Sequence, residues 1–197
     1  MKQVHPGLTM LPFFVKACSI AMLEFPVMNS HVDPEVDAEG YIKQYVMKKN
    51  HNFSVAMDTK DGLIVPNIKN VQDKSILQIN QDIIELRGKA DSNKLAAEDF
   101  ADGTFSVSSV GNIGGTYASP VVLRPQAAII AIGKARKQAK YVEDIEQKEG
   151  YRWEPADMIA ISISGDHRVI DGATCARFAA KMKLLIEHPN LMLLNMH

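Results

Sequence analysis

Apolar positions recur at helical spacing in three stretches of the chain. Phe13, Ala17, Ile20, Ala21 and Leu23 make one stripe across residues 12–24, a segment that Pro12 suits as a first turn and Pro26 ends. Ile76, Ile79, Ile83 and Leu86 make a second, with Asp73 or Ser75 available as its cap and an end near Lys89. Gly172–Glu187 is the third, a long amphipathic stretch that stops before Pro189. Between them the period shortens to two. Residues 41–48, 52–57, 104–108 and 158–164 are expected strands; Phe53, Val55 and Met57 alternate in one, and Ile159, Ile161 and Ile163 share a face in another. Residues 63–65 follow the turn Lys60-Asp61-Gly62, and 127–133 is a continuous apolar strand. Strands and helices mix without strict alternation, so the expected fold is an α/β sandwich with a mixed sheet, not a doubly wound one.

Composition narrows the function classes. A chain of 197 residues with 46% hydrophobic and 23% charged residues fits one globular domain that needs no staple. Its 22 basic and 23 acidic side chains leave a formal charge of −1, with no excess to track a phosphate backbone, so nucleic acid is not expected as a partner. No apolar run approaches the roughly 20 residues of a membrane helix. Cys18 and Cys175 sit in apolar helical patterns and read as reduced core thiols. Residues 1–11 show neither a secretory signal nor an Arg- and Ser-rich presequence, and no repeat divides the chain. A soluble intracellular domain is expected.

The chemistry concentrates in Ser164-Gly165-Asp166-His167-Arg168-Val169-Ile170-Asp171-Gly172-Ala173. This puts a histidine in a turn after an apolar strand, with a carboxylate four residues later where a helix starts. An imidazole there meets substrate from a rigid support and suits proton transfer at neutral pH. A lone turn histidine is ordinarily a solvated loop residue, however, and an aspartate at a helix start is ordinarily a cap. Asp171 is also favoured there by the helix dipole and can pin the loop through a salt bridge.

The order His167-x-x-x-Asp171-Gly172 resembles the motif shared by chloramphenicol acetyltransferase and the catalytic domains of dihydrolipoyl acyltransferases, the core components of 2-oxo acid dehydrogenase complexes. Asp166 to Ala173 as a whole is similar to the latter group. So are Pro12-Phe13-Phe14-Val15-Lys16-Ala17, Gly62-Leu63-Ile64-Val65-Pro66, Gly103-Thr104-Phe105-Ser106-Val107-Ser108-Ser109-Val110-Gly111 and Pro125-Gln126-Ala127-Ala128, in family order along nearly the whole chain. Ile113-Gly114-Gly115-Thr116 and Leu191-Met192-Leu193-Leu194 resemble the branched-chain type, whose acyl groups are isobutyryl, isovaleryl and 2-methylbutyryl.

The resemblance implies a chloramphenicol acetyltransferase-like two-layer sandwich and acyl transfer between dihydrolipoamide and coenzyme A. His167 matches the base that takes the thiol proton, Ser108 the hydroxyl that meets the tetrahedral oxyanion, and Asp171 the carboxylate that orders the loop. Thr9, Asp58, Ser108, Ser109, Asn112 and Gly133 match coenzyme-pocket positions. Read by themselves, Ser108 is a small residue at a strand end and Asp58 a turn-forming residue before Asp61-Gly62. The lipoyl group would arrive on another domain, since Gly88-Lys89-Ala90-Asp91 falls at a helix end and not on a hairpin tip. Implied partners are two further copies in a homotrimer that builds a larger core, lipoyl domains, and the decarboxylase and dihydrolipoyl dehydrogenase components. The implied compartment is the mitochondrial matrix for a eukaryotic source and the cytoplasm for a bacterial one.

Against the family pattern the chain is expected to lack, before Thr9, a helix and strand that carry trimer contacts and a coenzyme-binding arginine. Residues 141–148 are expected to form an extended charged surface loop. No metal is predicted, because His5, His31, His51, His188 and His197 show no ligand spacing, and no nucleotide triphosphate is assigned to Gly111-Asn112-Ile113-Gly114-Gly115. The rival reading is a catalytically weak assembly subunit of the same core. A Ser/His hydrolase is disfavoured because Ser108 lacks the Gly-x-Ser-x-Gly elbow.

Overall fold

The computed structural model describes residues 7–143 and 150–194. The first half of the chain forms α1 (Leu11–Glu24), β1 (Ser30–Val32), β2 (Tyr45–Met47), β3 (Phe53–Val55), β4 (Met57–Thr59), β5 (Gly62–Ile64), β6 (Asn67–Ile68), α2 (Ile76–Asp91) and α3 (Ala97–Phe100). The second half forms β7 (Phe105–Ser109), β8 (Ala128–Ile132), β9 (Arg136–Glu143), β10 (Tyr151–Met158), β11 (Ile161–Gly165), α4 (Gly172–Glu187) and α5 (Asn190–Leu193).

Five strands make one mixed sheet in the order β11-β8-β7-β3-β6. The central three run parallel, and β11 and β6 lie antiparallel at the edges. Central parallel strands are covered on both faces, which is why every residue of β3 and β8 is buried. Helix α1 packs against both α2 and α4. The rings of Phe53, Phe105 and Phe178 join β3, β7 and α4 through centroid distances of 5.4 and 6.1 Å. This is the mixed-sheet α/β sandwich expected. The pairs β1–β2, β4–β5 and β9–β10 are antiparallel ribbons outside the main sheet.

Several elements differ from their expected form. Helix α1 is buried around most of its circumference, Lys16 and Ser19 included, while Leu23 is exposed. Its environment is a cage of neighbours, not one apolar stripe: Lys16 Nζ donates to the carbonyls of Val71 and Gln72 at 3.3 and 3.1 Å, and Ser19 Oγ lies 2.8 Å from His51 Nδ1. Burial pushes the Lys16 ammonium and the His51 imidazole down from their ordinary values. Residues 41–48 contain only the short β2. The Asp37 carboxylate, accepting from the backbone of Glu39 and Tyr41, bends the chain ahead of it. The 52–57 stretch splits between β3 and β4, which belong to different sheets. Met158 closes β10, and the last sheet strand runs from Ile161 to Gly165. Tyr141, Val142 and Glu143 belong to β9 and not to a loop; residues 144–148 lie outside the described residues. Cys18 is buried, but Cys175 is only half-buried.

Two expectations were met at residue level. Ser75 caps α2 through a reciprocal box, Ser75 Oγ accepting from Gln78 N at 3.3 Å and Gln78 Oε1 from Ser75 N at 2.8 Å. Gly88-Lys89-Ala90-Asp91 ends that helix, as expected. Among the described residues no helix is long and apolar enough to cross a membrane.

Candidate active site

The turn after β11 is held tightly on both sides of His167. Asp166 N donates to Ala127 O at 2.8 Å, and the Asp166 carbonyl accepts from Val169 N and Ile170 N at 3.0 and 2.9 Å. The Asp166 carboxylate takes Arg168 Nε and Nη2 at 2.9 and 2.6 Å, and this guanidinium holds it below the usual carboxylate range. Ile170 is buried and anchors the far side. Asp171 then caps α4, its Oδ1 accepting from Thr174 N at 2.6 Å; that donor is the main reason its carboxyl also lies low. The ion pair in this turn is therefore Asp166–Arg168, and Asp171 acts on the helix end. His167 stands at the exposed apex between these two fixed points.

A cavity of about 1010 Å³ opens elsewhere, where the start of α1, the β4–β5 ribbon, α2 and the ends of β7 and β8 converge. Thr9, Asp58, Ser108, Ser109, Asn112 and Gly133 all line it. The fold thus brings together six residues drawn from four separate stretches of sequence. Most of the remaining lining is apolar, including Phe14, Met57 and Ile83. Arg87 and Lys134 also line the cavity, and the sequence reading did not single them out. Arg87 could have been found, because it stands four residues after Ile83 on the same face of α2. Close backbone contact shapes the floor: a Cβ on Gly133 would sit 2.1 Å from Thr116 O, so only glycine fits there.

His167 and Asp171 do not line this cavity. Strand register says how far away they are. Gly165 is paired with Ala128 of β8, whereas Ser108 is paired with Ala131. Three residues along the strands is about 10 Å, and two inter-strand steps add about 10 Å at right angles. Gly165 is therefore roughly 14 Å from Ser108, and the chain runs on away from the serine before it reaches His167. Within one chain the imidazole and the hydroxyl sit at opposite ends of the sheet.

The other described histidines are structural or exposed. His31 Nε2 donates to Gly103 O at 2.9 Å, and burial pushes its imidazole down. His188 closes α4 at its C-terminal end. His5 and His197 lie outside the described residues.

A mixed sheet under a helical layer, with a histidine turn leading from its edge strand into a capped helix, is the architecture of the chloramphenicol acetyltransferase class. The structure of chloramphenicol acetyltransferase itself superposes with a TM-score of 0.55 at 15% identity over 90% of this chain and 78% of that one, a likeness of fold. The chain belongs to the 2-oxoacid dehydrogenases acyltransferase (catalytic domain) family, whose model matches residues 1–194.

It is 44% identical over 192 residues to the lipoamide acyltransferase component of the branched-chain alpha-keto acid dehydrogenase complex, mitochondrial, of Caenorhabditis elegans. That match covers 98% of this chain and 40% of the worm protein, so the chain spans well under half of that relative's length. Among solved structures, dihydrolipoamide acetyltransferase of Azotobacter vinelandii superposes with a TM-score of 0.85 at 36% identity, over 98% of this chain and 74% of that one. Its study concerns the role of a serine, a histidine and an asparagine in the catalytic mechanism, the last two four positions apart, as His167 and Asp171 are here. The cubic core of the pyruvate dehydrogenase multienzyme complex gives the same TM-score at 38% identity and the same coverage.

Proposed function

We propose that this chain is the catalytic domain of a dihydrolipoamide acyltransferase, exchanging a branched-chain acyl group between dihydrolipoamide and coenzyme A at a site shared by two copies. One observation carries this reading: the coenzyme-pocket positions line one cavity, while His167 lies at the other end of the sheet from its own serine. A site needing both groups is completed by a neighbouring copy.

Only a few per cent of a thiol of ordinary pKa is thiolate at neutral pH, so thioester exchange gains from a base. His167 of one copy takes the proton of the incoming thiol. The thiolate attacks the acyl carbonyl, and the Ser108 hydroxyl of the adjacent copy donates to the oxyanion that forms. Collapse expels the second thiolate, which recovers the proton from the His167 imidazolium. Asp171 does not move protons. It holds the first turn of α4, and with Asp166–Arg168 keeps the imidazole at a fixed apex.

The coenzyme's pantetheine arm suits a mainly apolar cavity of this volume that hydroxyl- and amide-bearing residues also line. The lipoyl group is read as a substrate carried by another domain. The cubic core named above supports association of copies into a larger core; the family resemblance implies trimers within it, served by lipoyl domains, a decarboxylase and dihydrolipoyl dehydrogenase. The branched-chain preference and a mitochondrial matrix location are supported by the name of the worm relative.

The experiment is transfer of isobutyryl from isobutyryl-coenzyme A to free dihydrolipoamide, with His167→Ala beside the parent chain. We expect the variant to lose roughly 10²–10⁴-fold in rate while its circular dichroism is unchanged. Equal turnover in both proteins would contradict the mechanism. An assembled parent protein with no turnover would favour the assembly role.

A further inference from the structure

Two thiols use the proposed site, and charge is their largest difference. Coenzyme A carries several phosphate charges, whereas dihydrolipoamide is neutral. A cation fixed at one mouth of the site can therefore sort them.

Three residues with ionisable side chains line the cavity: Asp58, Arg87 and Lys134. Arg87 is already engaged, its Nη1 donating to Asp58 O at 2.9 Å and its Nε lying 3.1 Å from Asp91 Oδ1. Lys134 is exposed, and among the described residues its ammonium has neither an ion-pair nor a hydrogen-bond partner. Its backbone, by contrast, is fixed. Lys134 N donates to Gly115 O at 2.8 Å, and Gly111 packs so closely that a Cβ there would lie 3.0 Å from Lys134 Cα. The lysine is thus anchored at its root and uncommitted at its tip.

Its position relative to Ser108 is informative. Ser108 is paired with Ala131, and Lys134 follows three residues later, beyond the end of β8. Three extended residues span up to about 10 Å, and the lysine stem adds about 6 Å. That reach is on the scale of the pantetheine arm separating the coenzyme's thiol from its phosphates.

We infer that Lys134 recognises a phosphate of coenzyme A bound in this cavity and so distinguishes it from the neutral thiol. This rests on the acyltransferase reading above.

The test is calorimetric binding of coenzyme A, dephospho-coenzyme A and pantetheine to the assembled parent protein and to Lys134→Glu and Lys134→Arg. A single charge-assisted contact at an exposed site is worth about ten-fold in affinity. Coenzyme A should weaken by about that factor in Lys134→Glu and recover in Lys134→Arg, while pantetheine is unchanged. A penalty that persists with dephospho-coenzyme A assigns the contact to the diphosphate, and one that vanishes assigns it to the 3′-phosphate. In steady-state transfer, KM for isobutyryl-coenzyme A should rise and KM for dihydrolipoamide should not. Equal loss for coenzyme A and pantetheine, or no loss for either, would overturn the proposal. A parent protein that binds coenzyme A without transferring acyl groups would contradict the acyltransferase reading, and the binding arms would still decide the role of Lys134.

Discussion

Two side chains carry the proposed chemistry, and their surroundings differ. His167 is presented by a turn whose polar backbone is satisfied on both sides, so the imidazole is exposed without being loosely held. Ser108 sits at the half-buried end of β7, level with Ala131 and facing the cavity. An oxyanion donor acts on the transition state more than on the bound substrate, so Ser108→Ala should lower kcat by about 10²–10³-fold with little change in KM for the coenzyme. Steady-state kinetics checks this; a rise in KM alone would assign the hydroxyl to binding.

At the scale of elements, the turn between β11 and α4 makes a pH prediction. The Arg168 guanidinium lowers the Asp166 carboxyl in the folded chain, relative to about 3.9 when unfolded. Its contribution to stability is therefore complete above about pH 4 and disappears as pH falls through the lower folded value. Asp166→Asn should lower the melting temperature at neutral pH, and the difference from the parent should shrink on acidification below pH 4. Melting curves from pH 2 to 7 test it; a constant difference would contradict the assignment. This turn and α4 were legible in sequence because their signals are local: Asp171 as a cap, Gly172 at the helix start, Pro189 after its end. The Ser75 box and the apolar run of β8 were legible for the same reason. The ribbon of β9 and β10 was not. Nearly all of its side chains are exposed or half-buried, so no apolar period marks it, and residues 151–157 gave no signal. Helix α1 differed in the opposite sense: one apolar stripe was expected, and Lys16 and Ser19, which lie outside it, are buried as well. The cavity positions were legible only through family resemblance. The separation of His167 from Ser108 depends on strand register between distant segments, which no local pattern encodes.

For the molecule as a whole, exposed apolar side chains gather in two places among the described residues. Tyr141, Tyr151 and Trp153 cluster on the β9–β10 ribbon, and Leu193 and Leu194 are exposed at the C-terminal side. A two-stranded ribbon is marginal in water by itself, and exposed aromatic rings clustered on one suit contact with a partner. Additional copies of the chain would supply that contact and the missing half of the site together. The most direct test of a site shared between copies is complementation. His167→Ala and Ser108→Ala proteins are each prepared, mixed in equal amounts, unfolded and reassembled together. In a cyclic assembly with random mixing, about a quarter of the interfaces bring an intact His167 to an intact Ser108. The mixture should recover about a quarter of the parent's transfer rate. A mixture no more active than the average of the two variants would contradict a shared site, because a site contained in one chain cannot be repaired by its neighbour.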